Sequence, residues 1–265
     1  MQLTRHPRNT AFQWQQPVHN GFRLICDVQA DRYAEDGYFL LENAFSQAEI
    51  KAVIEAIAPF EEATEAFLKT RENGTHTIAR AGEITFSPHL VTHSQALKNF
   101  SLHPVFRALT HDLIGPAVRL YWDQAVYKKP GTPDEFPWHQ DNGYAYVEPQ
   151  QYLTCWVALT DATLSNGCPW VIPGIHRHGT LQHDWTPLGF RCLDAVEDAI
   201  AVPATAGSIV VFSSLTPHRT GPNLTDSVRK SYILQYAPDG AVVWRNSSES
   251  VPCDVADRQY LVPAN

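Results

Sequence analysis

Several things this chain lacks narrow its function before any motif is read. It has no run of the roughly 20 apolar residues that a membrane span requires, so no transmembrane segment is expected. Basic charge is scarce: 20 lysines and arginines stand against 28 aspartates and glutamates, a formal charge of −8. A nucleic-acid binder needs a basic footprint, and that class is set aside. Cysteine pairs are missing too. The five cysteines (Cys26, Cys155, Cys168, Cys192 and Cys253) are odd in number, scattered, and never spaced C-x-x-C. This argues against a disulfide framework and for free thiols packed as small hydrophobes in a reduced, cytoplasmic protein. The opening MQLTRHPRNTAFQWQQ has no apolar stretch of the secretory kind, and Val-Pro-Ala-Asn at the other end is not a Ser-Lys-Leu peroxisomal address. There is no internal repeat, no low-complexity tract and no flexible linker, so residues 1–265 are expected to form one domain.

What is present divides by pattern. The first 30 residues read as irregular chain laid across the body of the fold. Residues 31–43 suggest a short helix passing through Gly37 into a strand at Tyr38–Leu41. Ser46 and Glu49 form a capping box that opens a helix whose Ile50, Val53, Ile54 and Ile57 recur at helical spacing. Pro59 is expected to kink or end that helix, with 61–69 resuming it. A second helical pattern over 94–114 is broken at His103-Pro104. Beyond Val118 short β-rich runs follow at 118–128, 151–160, 168–172, 208–214 and 230–237, separated by Pro, Gly and Asn clusters. That rhythm predicts a mainly β protein with an antiparallel jelly-roll core of about 116–240, an α-rich part of about 1–115 and a C-terminal extension over 241–265.

The chemistry concentrates in Trp138-His139-Gln140-Asp141, followed far along the chain by His218 and then Arg229. On an extended strand His139 and Asp141 project to one face. His218 follows an apolar run, 207–213, and arrives from a different strand. Two imidazoles and one carboxylate can hold one triangular face of an octahedral metal and leave the opposite face open, as in non-heme Fe(II) oxygenases. Arg229, at the start of the next strand-like run, could clamp the distal carboxylate of a keto acid through a bidentate pair. Alone, each piece has a plainer reading: a chance His-x-Asp, a turn histidine, a surface arginine beside Lys230. Zinc is the competing metal, but structural zinc takes four Cys/His ligands and no such cluster is present.

Four segments carry a resemblance: RYAEDGYFLLENAFSQAEI at 32–50, WHQD at 138–141, ALTDATLSNGCPWVIPGIHRHG at 158–179 and PHRTGPNLTDSVRKSYILQYAP at 217–238. Over nearly the whole chain these are similar to the phytanoyl-CoA dioxygenase family. The resemblance implies a double-stranded β-helix (cupin-like jelly roll) flanked by N-terminal helices, with Fe(II), 2-oxoglutarate as cosubstrate, and O2. It implies His139, Asp141 and His218 as iron ligands, Arg229 on the 2-oxoglutarate C5 carboxylate with Thr220 assisting, and Gln124, Trp156 and Gln140 lining the cosubstrate pocket. The implied reaction is hydroxylation of an unactivated C–H bond with release of succinate and CO2. Desaturation, epimerisation, ring formation and acyl-CoA hydroxylation share the same cofactor chemistry. The carboxylate Asp141 favours oxygen transfer over halogenation, because halogenases of this broad class leave that position to chloride.

Around this centre, Tyr144 and Tyr146 are candidates for a substrate wall, and Arg80 for contact with an anionic substrate. The loop His176–Gly179 with His183 reads as a segment shaping the barrel mouth rather than a second metal site. Lys128 and Lys129 read by default as solvated charge, with approach of Lys128 to the pocket as the alternative. With no basic cluster near the mouth, a small or medium organic substrate is expected rather than a CoA thioester. A non-catalytic cupin-like binding protein and a zinc hydrolase on the same fold are the readings from other classes; oligomeric state is left open.

Overall fold

The computed structural model describes residues 3–17, 21–194 and 196–263. Helix α1 (Asp27–Asp36) starts slightly earlier than expected, within the segment read as irregular, and ends at Gly37 with φ 82°. A side chain at Gly37 would be strained by that φ and would also collide with the His176 ring and the Thr216 hydroxyl. The chain then enters strand β1 (Tyr38–Leu41) as expected. Helix α2 (Gln47–Lys69) opens with the Ser46/Glu49 box: Ser46 N donates to Glu49 Oε2 at 2.8 Å and Glu49 N to Ser46 Oγ at 3.3 Å.

Pro59 neither ends nor interrupts α2, which is one helix of 23 residues. The lost hydrogen bond is outweighed because the helix is held on both sides of the proline. Ile50, Val53 and Ile57 are buried before it. After it, Glu61 accepts from Thr85 Oγ1 and Thr64 meets Ser87 at 2.8 Å. The predicted break at His103-Pro104 is real. It separates α3 (Gln95–Ser101) from α4 (Pro104–Leu113), with His103 Nδ1 accepting from Val105 N and Pro104 in the first turn.

The β-rich half forms two antiparallel layers. The strands are β2 (Ile84–Pro88), β3 (Val118–Lys128), β4 (Leu153–Ala158), β5 (Pro169–Val171), β6 (Ile200–Ala201), β7 (Ile209–Ser213), β8 (His218–Thr220) and β9 (Arg229–Pro238); β3, β4, β5, β7 and β9 match the five runs seen in the sequence, and the other three were not among them. The larger sheet runs β1-β7-β4-β9-β3-β2, and the smaller β6-β5-β8. The C-terminal extension returns to this body: Val242–Trp244 pairs with Tyr146–Glu148, and Leu261–Val262 pairs with β3.

The larger sheet is covered on both faces, so its strands read as continuous apolar runs. Leu153, Cys155 and Val157 of β4 pack with the helices in one core. Trp156 and Ala158 point the other way, into a second core inside the barrel with Val126, Val210, Phe212 and Ile233. Period-two alternation thus assigns one set of residues to structure and the other to the barrel interior. No helix among the described residues is long and apolar enough to cross a membrane.

Candidate active site

His139 and His218 are backbone neighbours. His139 N donates to His218 O at 3.0 Å and His218 N donates to His139 O at 2.9 Å, so the smaller sheet carries both imidazoles at one edge. Their ring centroids lie 4.2 Å apart. Each Nδ1 meets a carbonyl, Pro137 O at 2.8 Å and Thr216 O at 3.0 Å. A carbonyl can only accept, so both Nδ1 atoms carry the proton and both Nε2 lone pairs are left for a metal. Burial, then the neighbouring His218, holds the His139 pKa well below its ordinary value, which keeps the ring neutral as a ligand must be.

The extended stretch ends one residue earlier than the strand expected to carry both His139 and Asp141. Gln140 is extended, but Asp141 opens a 3-10 turn, Asp141–Gly143, instead of continuing the strand. Alternation still brings Asp141 to the side of His139. One carboxylate oxygen accepts from Thr154 Oγ1 at 2.5 Å, and the other stands 3.7 Å from His218 Nε2. His139, Asp141 and His218 each offer a ligand atom within 4.8 Å of the others, the arrangement of a metal site.

These residues open onto a cavity of about 340 Å3 inside the barrel, walled by Phe86, Trp122, Phe136, Trp156 and Phe212 and reached also by Gln124, Tyr144, Thr220 and Arg229. Arg229 is 0% exposed and no surface residue. Its Nη1 donates to Ser231 Oγ at 2.6 Å and its guanidinium lies over the Trp156 ring, 5.3 Å from the centroid. Nε and Nη2 have no partner, and neither does the buried Thr220 hydroxyl. Burial lowers the Arg229 pKa to about 10, so the group stays charged at neutral pH. A buried guanidinium with open donors beside an open hydroxyl is a cradle for a carboxylate. Iron and a 2-oxo dicarboxylate therefore fit the residues present.

Other expected site residues go elsewhere. Gln140 is fully buried on the far side of the chain; it donates to Gly179 O and Leu215 O and accepts from Leu181 N at 2.7 Å, tying loops together rather than lining the cavity. Tyr146 stacks on His6 at 4.5 Å, and only Tyr144 of the two tyrosines reaches the cavity. Arg80 is paired with Glu83 and Asp134 outside it. His183 accepts from Gln140 N at 2.9 Å and donates to Leu181 O, so both its ring nitrogens are taken; His176 donates to Ala34 O through Nε2, and among the described residues neither ring joins a cluster of metal donors. Burial lowers both to about pKa 4. Lys128 is buried, against its default reading as solvated charge, and is not among the residues lining the cavity. Thr154, Trp122, Gln235 and, on β7, Phe212 also face the cavity and were not singled out; for the first three, the two-residue spacing from Trp156, Gln124 and Ile233 along β4, β3 and β9 was the available signal.

Fold and site together define a non-heme iron oxygenase that uses 2-oxoglutarate. The sequence matches the family described as phytanoyl-CoA dioxygenase (PhyH) over residues 33–231, and the chain belongs to that family. Among curated relatives, phytanoyl-CoA dioxygenase domain-containing protein 1 of Danio rerio is 28% identical over 83% of this chain and 93% of its own length. The methylphosphonate hydroxylase of Gimesia maris is 26% identical over 80% of each chain. Among solved structures, the epimerase SnoN in complex with Fe3+, alpha ketoglutarate and nogalamycin RO superposes with a TM-score of 0.69 at 21% identity, covering 89% of this chain and 98% of that one. EctD from S. alaskensis with 2-oxoglutarate and 5-hydroxyectoine gives 0.69 at 20%, covering 92% and 85%. These structural likenesses establish the jelly-roll fold.

Proposed function

We propose that this chain hydroxylates an unactivated C–H bond of a small organic metabolite, with His139, Asp141 and His218 holding Fe(II) and Arg229 with Thr220 holding the C5 carboxylate of 2-oxoglutarate. The carrying observation is the fully buried guanidinium of Arg229, with Nε and Nη2 without a partner, on the same cavity as three convergent metal donors. Bound iron and 2-oxoglutarate supply O2 activation, with succinate and CO2 as coproducts. The chain's own residues fix neutral imidazoles by their Nδ1 bonds, hold Asp141 through Thr154, and exclude water with the aromatic wall. Gln124 and Trp156 complete the cosubstrate side, and Tyr144, half exposed, forms the substrate side.

Among the described residues Arg229 is the one lysine or arginine lining the cavity, so nothing there offers a CoA tail a second cation. This supports a small substrate over a CoA thioester. We read residues 1–265 as one catalytic domain, supported by a core that runs from α1–α4 into the larger sheet. We place it in the cytoplasm, supported by its unpaired cysteines.

The test is anaerobic Fe(II) reconstitution followed by titration with 2-oxoglutarate, reading the weak visible charge-transfer band. A saturable band in the wild type, absent in His218→Ala, is the expected result. Iron-loaded, folded protein that gives no band at any 2-oxoglutarate concentration would overturn the reading and favour a binding protein.

A further inference from the structure

Beside Arg229 lies a second buried cation that does not line the cavity. Lys128 is 1% exposed and sits directly across the β3–β9 ladder from Arg229, with both side chains turned inward. Like charges opposite one another on a sheet repel, and removing either from water is costly. Yet neither side chain is hydrogen-bonded to a carboxylate among the described residues. Lys128 Nζ donates to two carbonyls, Gly221 O at 2.6 Å and Asp134 O at 3.1 Å, and lies over the Phe136 ring, 5.0 Å from its centroid. The acids close to it are taken: Asp134 by Arg80 and Glu135 by Arg219. On the other flank β2 presents apolar Ile84 opposite Lys128.

The carbonyls that Lys128 holds are not arbitrary. Gly221 directly follows Thr220, whose open hydroxyl faces the cavity, and Asp134 lies two residues before Phe136, part of the cavity wall. Lys128 therefore braces the two segments that frame the space in front of Arg229, and adds positive charge behind it.

We infer that Lys128 is a positioning residue of the 2-oxoglutarate site: without touching the cosubstrate it fixes the Thr220–Gly221 and Asp134–Phe136 segments, strengthens the field at Arg229, and takes up a proton as the dianion binds. The inference rests on 2-oxoglutarate being the anion held by Arg229. The direction of the proton follows from linkage. Burial first, and the Arg229 guanidinium second, lower the Lys128 pKa to about 7; Arg80 pushes the same way, while Glu135 and Asp134 pull it up. An anion at Arg229 cancels much of that repulsion and restores the charged form. Above about pH 7 binding thus requires proton uptake, and cosubstrate affinity falls with rising pH by as much as about tenfold per unit.

The experiment is calorimetric titration of the anaerobic Fe(II)-loaded protein with 2-oxoglutarate at pH 8 in HEPES and in Tris, whose ionisation enthalpies differ. Wild type should take up a large fraction of one proton. Lys128→Met should bind the same iron, lose that uptake, and bind 2-oxoglutarate about tenfold more weakly at pH 6.5. Lys128→Arg keeps a permanent charge, so it should bind nearly as tightly as wild type at pH 6.5 yet show no uptake. Proton uptake persisting in either variant overturns the inference while leaving 2-oxoglutarate as cosubstrate. No 2-oxoglutarate binding by wild type overturns both.

Discussion

Replacing Arg229 by methionine should move stability and cosubstrate binding in opposite directions. In the protein without cosubstrate, the guanidinium is fully buried, two of its donors are unsatisfied, and Lys128 lies across the ladder. Exchanging such a charge for an apolar side chain of similar length stabilises a fold by roughly 1–4 kcal/mol when no partner is orphaned. None is: the Ser231 hydroxyl still donates to Val126 O at 3.0 Å. With about 2–4 °C per kcal/mol for a chain near this size, the melting temperature should rise by several degrees. Binding suffers instead. Charge-assisted hydrogen bonds contribute about 1.5–3 kcal/mol each, so losing two lowers 2-oxoglutarate affinity by about 100-fold or more. The assay is thermal unfolding of the iron-loaded, anaerobic protein with and without saturating 2-oxoglutarate. Wild type should gain stability from the ligand; Arg229→Met should start higher and gain almost nothing. A variant that melts lower than wild type and still responds fully to 2-oxoglutarate would refute both halves of the reasoning.

Three further outcomes follow from the same geometry. Thr154→Val removes the 2.5 Å donor to Asp141 without changing side-chain shape, and should weaken Fe(II) binding about tenfold in a chelator competition at nearly unchanged stability. Gly143→Ala places a methyl group where the His183 ring lies, so it should cost about 1–3 kcal/mol and show as a lower melting temperature. His176 and His183 are both lowered to about pKa 4 by burial, whereas the unfolded chain binds protons near pH 6.5. Unfolding therefore takes up protons below pH 6.5, and stability, complete above that pH, should fall by up to about 1.4 kcal/mol per unit per histidine as pH drops toward 4. Urea unfolding at pH 7 and pH 5 checks this; equal midpoints would contradict it.

The convergence of His139, Asp141, His218 and Arg229 on one cavity was legible in the sequence because a metal and a carboxylate admit few residue types, and because strand periodicity fixes which neighbours share a face. The barrel strands were legible for a related reason: turn residues punctuate runs that are apolar throughout when both faces of a sheet are covered. Orientation beyond those runs was not. Gln140 is as polar as a pocket residue should be, but it faces away, and a chain with no neighbours shown cannot say what lies there. Tyr146 and Arg80 fail likewise, each claimed by a partner remote in sequence (His6 for the ring, Asp134 for the guanidinium). For Lys128 the default reading failed in the opposite sense. Lysine is solvated by default, and its burial depends on carbonyls of Gly221 and Asp134 that only the closed barrel delivers. Pro59 was read from local rules alone, while packing against the strand at Ile84–Pro88 keeps the helix whole.

The reciprocal backbone bonds between His139 and His218 mean that the two nitrogen donors behave as a single jaw. Their spacing is set by the ladder and not by the ion, so it is already in place before any metal arrives. Asp141 is different in kind, for it hangs from a short turn and is steadied by one hydroxyl. If these three residues hold iron as proposed, exchange of one divalent ion for another should register mainly as adjustment of this carboxylate, a single tooth set against a paired jaw.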